Sequence, residues 1–416
     1  RYHHLFTELL QHQLKRQLPK RVADLHTKAS KWHEINGFPD EAIFHAFNAG
    51  NVAKAAELIE ANSIPTAIAG EVYTVNNWLD RLPEDMIRSK PGLCLAQGWQ
   101  SYINGQTDRA ILWLDILEAN LGFPAGNRLD EVDVTGLPNQ EIWEALATIR
   151  STIFAWQGKA QLSIEFSQWA LEKIKTGNLN YRCILEWNLA FSSRLVGDLI
   201  VSEKAYLRSI QLGQDIENIV TVLNATVGLA QLYRVLGQLQ KSEKTFLKVF
   251  ELGDKYRMPY SVALGSAHIG LANVLCQMNR LDSAVEHFHQ GFEIAEKWGV
   301  LDLVKANICH YRIQLAQGDL QSAMEALEKA ISLAKELDQD FRGGVARALR
   351  TRLWLLQGDF DNSNHWFQRE IAYDPLDRSE LNEIRGITQA RVLLALGNIS
   401  GCLDLLEMVS INAENT

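Results

Sequence analysis

Apolar positions along the chain recur at helical spacing, and the helical runs end in a repeated turn. In LAQGDLQSAMEAL (315–327) and LLQGDFDNSNHWF (355–367), an apolar run stops at Gln-Gly-Asp and a second run starts directly after it. Glycine reaches positive φ without steric strain, so this pattern predicts the end of one helix and the start of the next. Each copy therefore predicts a pair of helices joined by a tight turn.

The same turn recurs along most of the chain. Its positions are Gly50, Gly105, Gly158, Gly197, Gly237, Asn279, Gly318, Gly358 and Gly397. Asn279 fits the set because asparagine also tolerates the left-handed conformation. From Gly158 onward the turns are 39, 40, 42, 39, 40 and 39 residues apart. Helix pairs with a period of about 40 residues predict an α-solenoid.

Small and large side chains alternate in register with the turn. Five positions after it lie Ala55, Ala110, Ser163, Ser202, Ser242, Ala284, Ala323, Ser363 and Cys402. Nine positions after it lie Ile59, Leu114, Ser167, Tyr206, Phe246, Phe288, Leu327, Phe367 and Leu406. A small residue lets two helices approach closely, and a large one fills the space beyond it. The pattern resembles a long form of the tetratricopeptide repeat. The expected fold is all-α, a right-handed superhelix of tetratricopeptide-like helix pairs.

The spacing is irregular in the N-terminal third. The turn at Gly105 follows Gly50 by 55 residues, and the turn at Gly158 follows after a further 53. The first excess leaves room for an additional helix at about residues 66–82. The second coincides with a stretch rich in Gly, Pro and Asp at 121–140, which predicts an exposed loop.

Composition narrows the function classes. The 416 residues carry a net charge of -9, which argues against nonspecific binding of nucleic acid or membrane surfaces. Five widely separated cysteines within helical runs predict reduced thiols in a cytoplasmic protein. Neither a membrane span nor a signal peptide is visible, and the HExxH, CxxC and GxSxG motifs do not occur. We therefore expect neither a catalytic site nor a metal site.

Three stretches of the N-terminal third carry a family resemblance. They are RYHHLFTELLQHQL (1–14), LHTKASKWHEINGFPDEAIFHAFNAGNVAKAAELIE (25–60) and VNNWLDRLPEDMIRSKPGLCLAQGW (75–99). Together they resemble the MalT-like branch of the bacterial signal-transduction ATPases, which are transcription regulators of the LuxR type. The resemblance covers roughly residues 1–125, and beyond that only the repeat period agrees.

The resemblance implies a domain order. In that family an ATPase module and a winged-helix segment precede a superhelical sensor, and a helix-turn-helix module ends the chain. Residues 1–36 would then be the helical end of the winged-helix segment with a linker helix, 37–140 the irregular first repeats, and 141–416 the regular superhelix. The chain begins without methionine, which suggests a fragment of a longer protein.

The same resemblance implies cofactors and partners. ATP would bind in an upstream module, and we expect no cofactor in this fragment, because it contains no GxxxxGK[ST] loop. We also expect no direct contact of this fragment with nucleic acid and none with a membrane. The full-length protein would self-associate when an effector relieves its autoinhibition.

Candidate ligand-binding residues follow from the stacking of such repeats, which places the first helix of each pair on the concave face. Six positions before the turns, from Gly105 onward, the chain has Trp99, Thr152, Phe191, Gln231, Asn273, Arg312, Arg352 and Arg391. Three positions before a turn it has Tyr102, Arg194 and Arg234, and Trp156 and Trp187 lie nearby. This row runs from aromatic residues through amides to arginines.

Such a groove suits an anionic or polyhydroxylated ligand, with aromatic rings for stacking and arginines as bidentate donors. The alternative is that the arginines pair with acidic residues of neighbouring repeats and only stabilise the stack. Two functions remain open. The fragment is either the sensor of a MalT-like regulator, which binds a small molecule or a regulatory protein, or a protein-binding scaffold without a small-molecule site.

Overall fold

The computed structural model describes residues 19–68, 71–104, 106–122, 140–173, 178–258, 261–298, 302–337 and 340–414. Throughout these ranges the ordered elements are helices, and no strand occurs. Apart from the loop 123–139, the chain divides into two compact units, one ending at Leu146 and the other beginning at Ala147. The helical segment expected within residues 1–18 and most of the loop expected at 121–140 lie outside the described residues.

The helices of the first unit vary in length from 6 to 17 residues. They are α1 (Pro19–Ile35), α2 (Pro39–Asn48), α3 (Val52–Ile68), α4 (Val72–Leu79), α5 (Glu84–Ser89), α6 (Pro91–Ile103) and α7 (Thr107–Asn120), followed by α8 (Gln140–Trp156), which contains the division between the units. The additional helix expected at about 66–82 is α4. It starts later than expected because α3 continues through Pro65 to Ile68.

The second unit is a stack of helix pairs. Its helices after α8 are α9 (Ala160–Lys173), α10 (Leu179–Leu195), α11 (Leu199–Asp215), α12 (Ile219–Val235), α13 (Leu239–Lys255), α14 (Val262–Gln277), α15 (Leu281–Trp298), α16 (Leu303–Gln317), α17 (Leu320–Glu336), α18 (Asp340–Gln357), α19 (Phe360–Arg369), α20 (Glu380–Ala395) and α21 (Ile399–Glu414). The predicted all-α repeat architecture is confirmed.

The turns between paired helices have the predicted backbone conformation. Positive φ is found at Gly50, Gly158, Gly197, Gly237, Gly318, Gly358 and Gly397, and also at Asn279, where φ is 58°. Gly105 lies outside the described residues. Within the described chain, the left-handed residue predicted at each turn is therefore confirmed.

Close helix approach depends on the small residues of the register. The small residues that lie five positions after each turn are all buried. In two pairs the small residue is a serine that donates to the first helix: Ser202 Oγ to the Ala190 carbonyl at 2.8 Å, and Ser242 Oγ to the Ala230 carbonyl at 2.6 Å. These bonds satisfy a buried hydroxyl where two helices touch.

Two of the large residues nine positions after the turn, Tyr206 and Phe246, pack against the following pair. A Cβ placed on Gly228 of α12 would lie 2.4 Å from Cε1 of Tyr206, and one on Gly270 of α14 would lie 2.3 Å from Cζ of Phe246. Both rings are fully buried. Glycine is thus required on the facing helix, because any larger side chain would push neighbouring repeats apart.

The stack departs from regularity after α19, which has only 10 residues. The connector 370–379 that follows is attached to α20 by buried amides. Asn382 Nδ2 donates to the carbonyls of Asp374 at 2.7 Å and Asp377 at 2.6 Å, and Gln389 Nε2 donates to the carbonyl of Ile371 at 3.0 Å. The connector is therefore an ordered extension of α20.

Candidate ligand-binding cavity

The second unit contains a cavity of about 520 Å³. Its walls come from α10, α12, α14, α16 and α18, the first helices of successive pairs. The turn before α9 with the first residues of that helix (158–162) and the segment that enters α20 complete the lining. The superhelix closes around this cavity, because Phe341 packs beside Gly158 and Arg378 packs beside Gly197. The cavity volume lies in the range usual for small-molecule sites.

Six of the candidate residues line this cavity. They are Phe191, Arg194, Gln231, Arg234, Asn273 and Arg312. They come together because each lies near the C-terminal end of its helix, and successive first helices stack side by side with these ends aligned. The repeat register of the sequence thus places them on one wall.

The aromatic candidates fall into two groups. Trp156 and Trp187 pack on Phe191 with ring centroids 5.7 and 6.4 Å from it, so they lie directly behind the cavity wall. Trp99 and Tyr102 belong to the first unit, where their ring centroids are 6.2 Å apart, and they are not among the residues that line the cavity.

The last two arginines of the row, and its threonine, lie outside the cavity wall. Arg352 donates from Nε to Thr388 Oγ1 at 2.8 Å and from Nη2 to the carbonyl of Ile384 at 3.1 Å. It therefore joins α18 to α20. Arg391 is exposed on α20. Thr152 is buried and its hydroxyl donates to a carbonyl within its own helix.

Arg312 donates to another candidate of the row. Its Nη1 is 2.6 Å from Asn273 Oδ1 on the preceding first helix. Burial lowers the pKa of the Arg312 guanidinium, and the positive charge of Arg234 lowers it further. The cavity wall therefore holds arginines close enough to repel one another, which favours an anion between them.

Glu380 is the anion that the protein itself places there. This first residue of α20 is 3.3 Å from Arg234 Nη2 through Oε1 and 3.8 Å from Arg194 Nη1 through Oε2. Burial would raise the pKa of the Glu380 carboxyl, but the charges of the surrounding arginines hold that pKa below its usual value. Glu380 and Arg234 are 146 residues apart in sequence, so the closed superhelical turn creates this contact.

A second charged group lies where α16 begins. Asp302 accepts from Lys305 Nζ at 2.7 Å and from the hydroxyl of Ser266. Burial opposes the ionised form of Asp302, but Lys305 and Ser266 lower the pKa of its carboxyl. Lys305 and Arg342 lie over the ring of Trp156, at 5.5 and 5.3 Å from its centroid. Among the residues that line the cavity, those with cationic side chains outnumber those with acidic ones.

Sequence reasoning missed Glu380, Asp302, Lys305 and Arg342, which all line the cavity. They lie at the N-terminal ends of first helices, whereas the row followed the C-terminal halves. A weak signal was present for one of them: Asp374, Pro375 and Asp377 mark an irregular segment directly before Glu380. Its contact with the arginines depends on the superhelical pitch, which a repeat register does not specify.

The helix pairs and the cavity on their inner face define the class of protein, a helical-repeat domain of the tetratricopeptide type. Residues 144–416 match the sequence profile of the MalT-like TPR region, and the chain belongs to this family. The matched region is a tetratricopeptide-repeat region.

Two curated relatives are longer proteins. The HTH-type transcriptional regulator MalT of Vibrio cholerae is 20% identical over 417 residues, which cover all of this chain and 45% of that regulator. The serine/threonine-protein kinase PknK of Mycobacterium tuberculosis is 33% identical over 122 residues, or 29% of this chain and 11% of the kinase. The chain thus spans less than half the length of either relative.

Two solved structures share the fold. The signal-transduction ATPase with a tetratricopeptide repeat sensor from Pyrococcus horikoshii has a TM-score of 0.50 and 11% identity, over 94% of this chain and 55% of that one. A Rap protein complexed with competence and sporulation factor has a TM-score of 0.53 and 13% identity, over 86% and 94%. Along the described ranges of the present chain, no helix is long and apolar enough to cross a membrane.

Proposed function

We propose that the second unit is the effector-sensing part of a MalT-like, ATP-dependent transcription regulator of the LuxR type and that its cavity binds the effector. The observation that carries this proposal is the convergence of Arg194, Arg234 and Arg312 on one wall of the cavity. Buried cations around an apolar cavity are unfavourable unless an anion or a polar ligand compensates them. A purely structural stack gains nothing from such a void.

The effector is a small molecule or a segment of a regulatory protein. A peptide is a specific second candidate, because the Rap conjugation gene regulator of plasmid pLS20, a protein of similar fold, was solved in complex with the Phr* peptide. The competing function is a protein-binding scaffold without a small-molecule site, in which the partner lies along the groove.

Effector binding would act through the shape of the superhelix. A ligand shifts a conformational equilibrium only by the difference between its affinities for the two shapes. Small rotations at each repeat interface add along a solenoid, so a local change at the cavity becomes a larger movement at its ends. In the full-length cytoplasmic regulator, this movement would release the ATPase module for self-association and the helix-turn-helix module for DNA binding.

The test is a ligand screen on the 416-residue chain followed by matched variants. Thermal-shift and calorimetric titrations with sugars, nucleotides, other metabolites and short peptides should yield a saturable ligand. Arg312→Gln should weaken that ligand at least about tenfold, because a charge-assisted donor is lost from the cavity wall. Arg391→Gln is the control, since it makes the same change at the same repeat position outside the cavity.

Equal affinities in the two variants would place the ligand elsewhere and refute the cavity as the sensor site. A screen without any ligand, together with a partner protein recovered by pull-down, would support the scaffold instead. The melting temperatures of both variants are measured in parallel, so that loss of folding is not mistaken for loss of binding.

A further inference from the structure

The carboxylate of Glu380 occupies the cavity as a tethered ligand would. It reaches Arg194 and Arg234 from the far end of a superhelical turn, while its own backbone belongs to α20. The other acidic group described above, Asp302, is paired with Lys305 and Ser266 where α16 begins. Glu380 therefore offsets part of the positive charge of Arg194 and Arg234, although it lies on a different helix from either arginine.

This compensation is incomplete. The separation of 3.8 Å between Glu380 and Arg194 is too long for a hydrogen bond. Among the described residues, no group accepts from Arg194 Nε with good hydrogen-bond geometry, although the Arg194 side chain is only 8% exposed and its neighbour is the neutral hydroxyl of Tyr206. A carboxylate that is not tethered to a helix can approach both guanidiniums more closely. The site thus recognises the chemical group that Glu380 carries, but holds Glu380 itself imperfectly.

The remainder of the cavity wall is largely apolar. Ile269, Ile308, Phe341, Val345 and Leu381 all line it. An apolar wall beside a cluster of arginines fits a ligand with an apolar body and an anionic head, because each part then meets a surface of matching character. A highly hydrated sugar or a bare inorganic anion would leave the apolar wall without a partner.

We propose that the cavity binds an amphipathic carboxylate, and that the carboxylate of this ligand displaces Glu380 from Arg194 and Arg234. The inference rests on the proposed sensor function, and it names both the class of effector and the contact that the effector breaks. Glu380 is then an internal competitor that occupies the anion subsite in the free protein.

Displacement of Glu380 would link binding to a change of shape. The Glu380 contacts connect α20 to α10 and α12 across the superhelical turn. Asn382 ties the connector to α20, so the segment that lines the cavity moves together with this helix. A free ligand in place of Glu380 removes that connection and allows the turn to open.

The test uses simple ligands with one apolar chain. Octanoate carries the carboxylate, octanamide has nearly the same shape without charge, and octyl phosphate carries a different anion. Glu380→Gln keeps the shape of the side chain and removes its charge, so this variant should bind octanoate about tenfold more tightly than the wild-type chain, since the internal competitor is weakened. Octanamide affinity should not change. Glu407→Gln, the same change at an exposed position of α21, is the matched control and should bind octanoate like the wild type.

Equal octanoate affinity in the wild type and in Glu380→Gln would overturn the inference. The absence of detectable octanoate binding to either protein would overturn it as well. Preference for octyl phosphate over octanoate would also overturn it, because the named head group would be wrong. None of these results refutes the sensor function. That function fails only if substitutions in the cavity leave the affinity for ligands from the wider screen unchanged.

A measurement on the wild-type chain guards against a variant that does not fold. Saturating octanoate should speed amide hydrogen exchange in residues 377–383, because their contact across the superhelical turn is lost, whereas octanamide should leave it unchanged. Unchanged exchange at octanoate saturation would show that Glu380 stays in place and would contradict the proposed displacement.

Discussion

At the residue scale, the helix pairs depend on small side chains that are fully buried where two helices meet. Ala323 is such a residue on α17, and it lies in one apolar cluster with Tyr311 and Leu327. It has no exposed surface, and the equivalent serines of other pairs donate directly to the backbone of the first helix. The space available at this position is therefore that of a methyl or hydroxymethyl group.

Replacing Ala323 with leucine should reduce the free energy of unfolding by about 1–3 kcal/mol, because the added methylenes force α16 and α17 apart. Urea denaturation followed by circular dichroism measures this loss. Gln321→Leu, at an exposed site of the same helix, should change stability by no more than about 0.5 kcal/mol. An equal effect of the two substitutions would mean that Ala323 does not lie in a helix interface.

At the element scale, α14 and α15 are joined by a pair of histidines. His268 Nδ1 and His287 Nδ1 are 2.9 Å apart, which requires at least one ring to accept a hydrogen bond and so to remain unprotonated at that nitrogen. The ring of Phe250 lies 4.3 Å from that of His268. Burial and, to a lesser extent, the charge of His287 together lower the pKa of His268 to about 4.

This pair predicts a loss of stability in mild acid. The folded-state pKa of His268 lies below the usual value of about 6.5, so between pH 6.5 and pH 4 the unfolded chain binds more protons. The stabilisation is complete above pH 6.5 and declines as the pH falls toward 4. Melting temperatures across this range should fall less steeply for His268→Gln than for the wild type.

The control is His365→Gln, which replaces an exposed histidine of α19 and should retain the wild-type dependence on pH. If the melting temperature of His268→Gln falls with pH as steeply as that of the wild type, other groups such as the carboxylates cause the loss of stability in acid.

Most elements could be predicted from the sequence because their determinants are local. A left-handed residue at Gly318 or Asn279 ends a helix regardless of its surroundings, and the period of the turns then fixes the helix pairs. The short α19 and its connector are different. Asp374 and Pro375 break the helical pattern, but the conformation of the connector is set by buried amides such as Asn382, which lie several residues further along the chain.

At the scale of the second unit, the cavity depends on the pitch of the superhelix. The repeat register brings Arg194, Arg234 and Arg312 to one wall, but the same register continues through Arg352 to Arg391, which lies beyond the cavity. Pitch is the sum of small rotations at every interface, and no single residue encodes it. For this reason the contact of Glu380 with the arginines became visible in the structure alone.

Closure of the superhelical turn can be tested with two glycines in equivalent turns. Gly197 and Gly237 both have positive φ, 82° and 70°, so an alanine at either site is strained by about 1–2 kcal/mol. A Cβ at Gly197 would also lie 2.3 Å from the carbonyl oxygen of Arg378, whereas one at Gly237 would meet nothing within 4 Å. Gly197→Ala should therefore lose about 1–3 kcal/mol more in urea denaturation than Gly237→Ala. It should also speed amide exchange around Arg378, since the connector must move away from the turn. Equal losses in the two variants, with unchanged exchange, would show that the connector does not pack on this turn in solution, and the contact of Glu380 with the arginines would then lose its support.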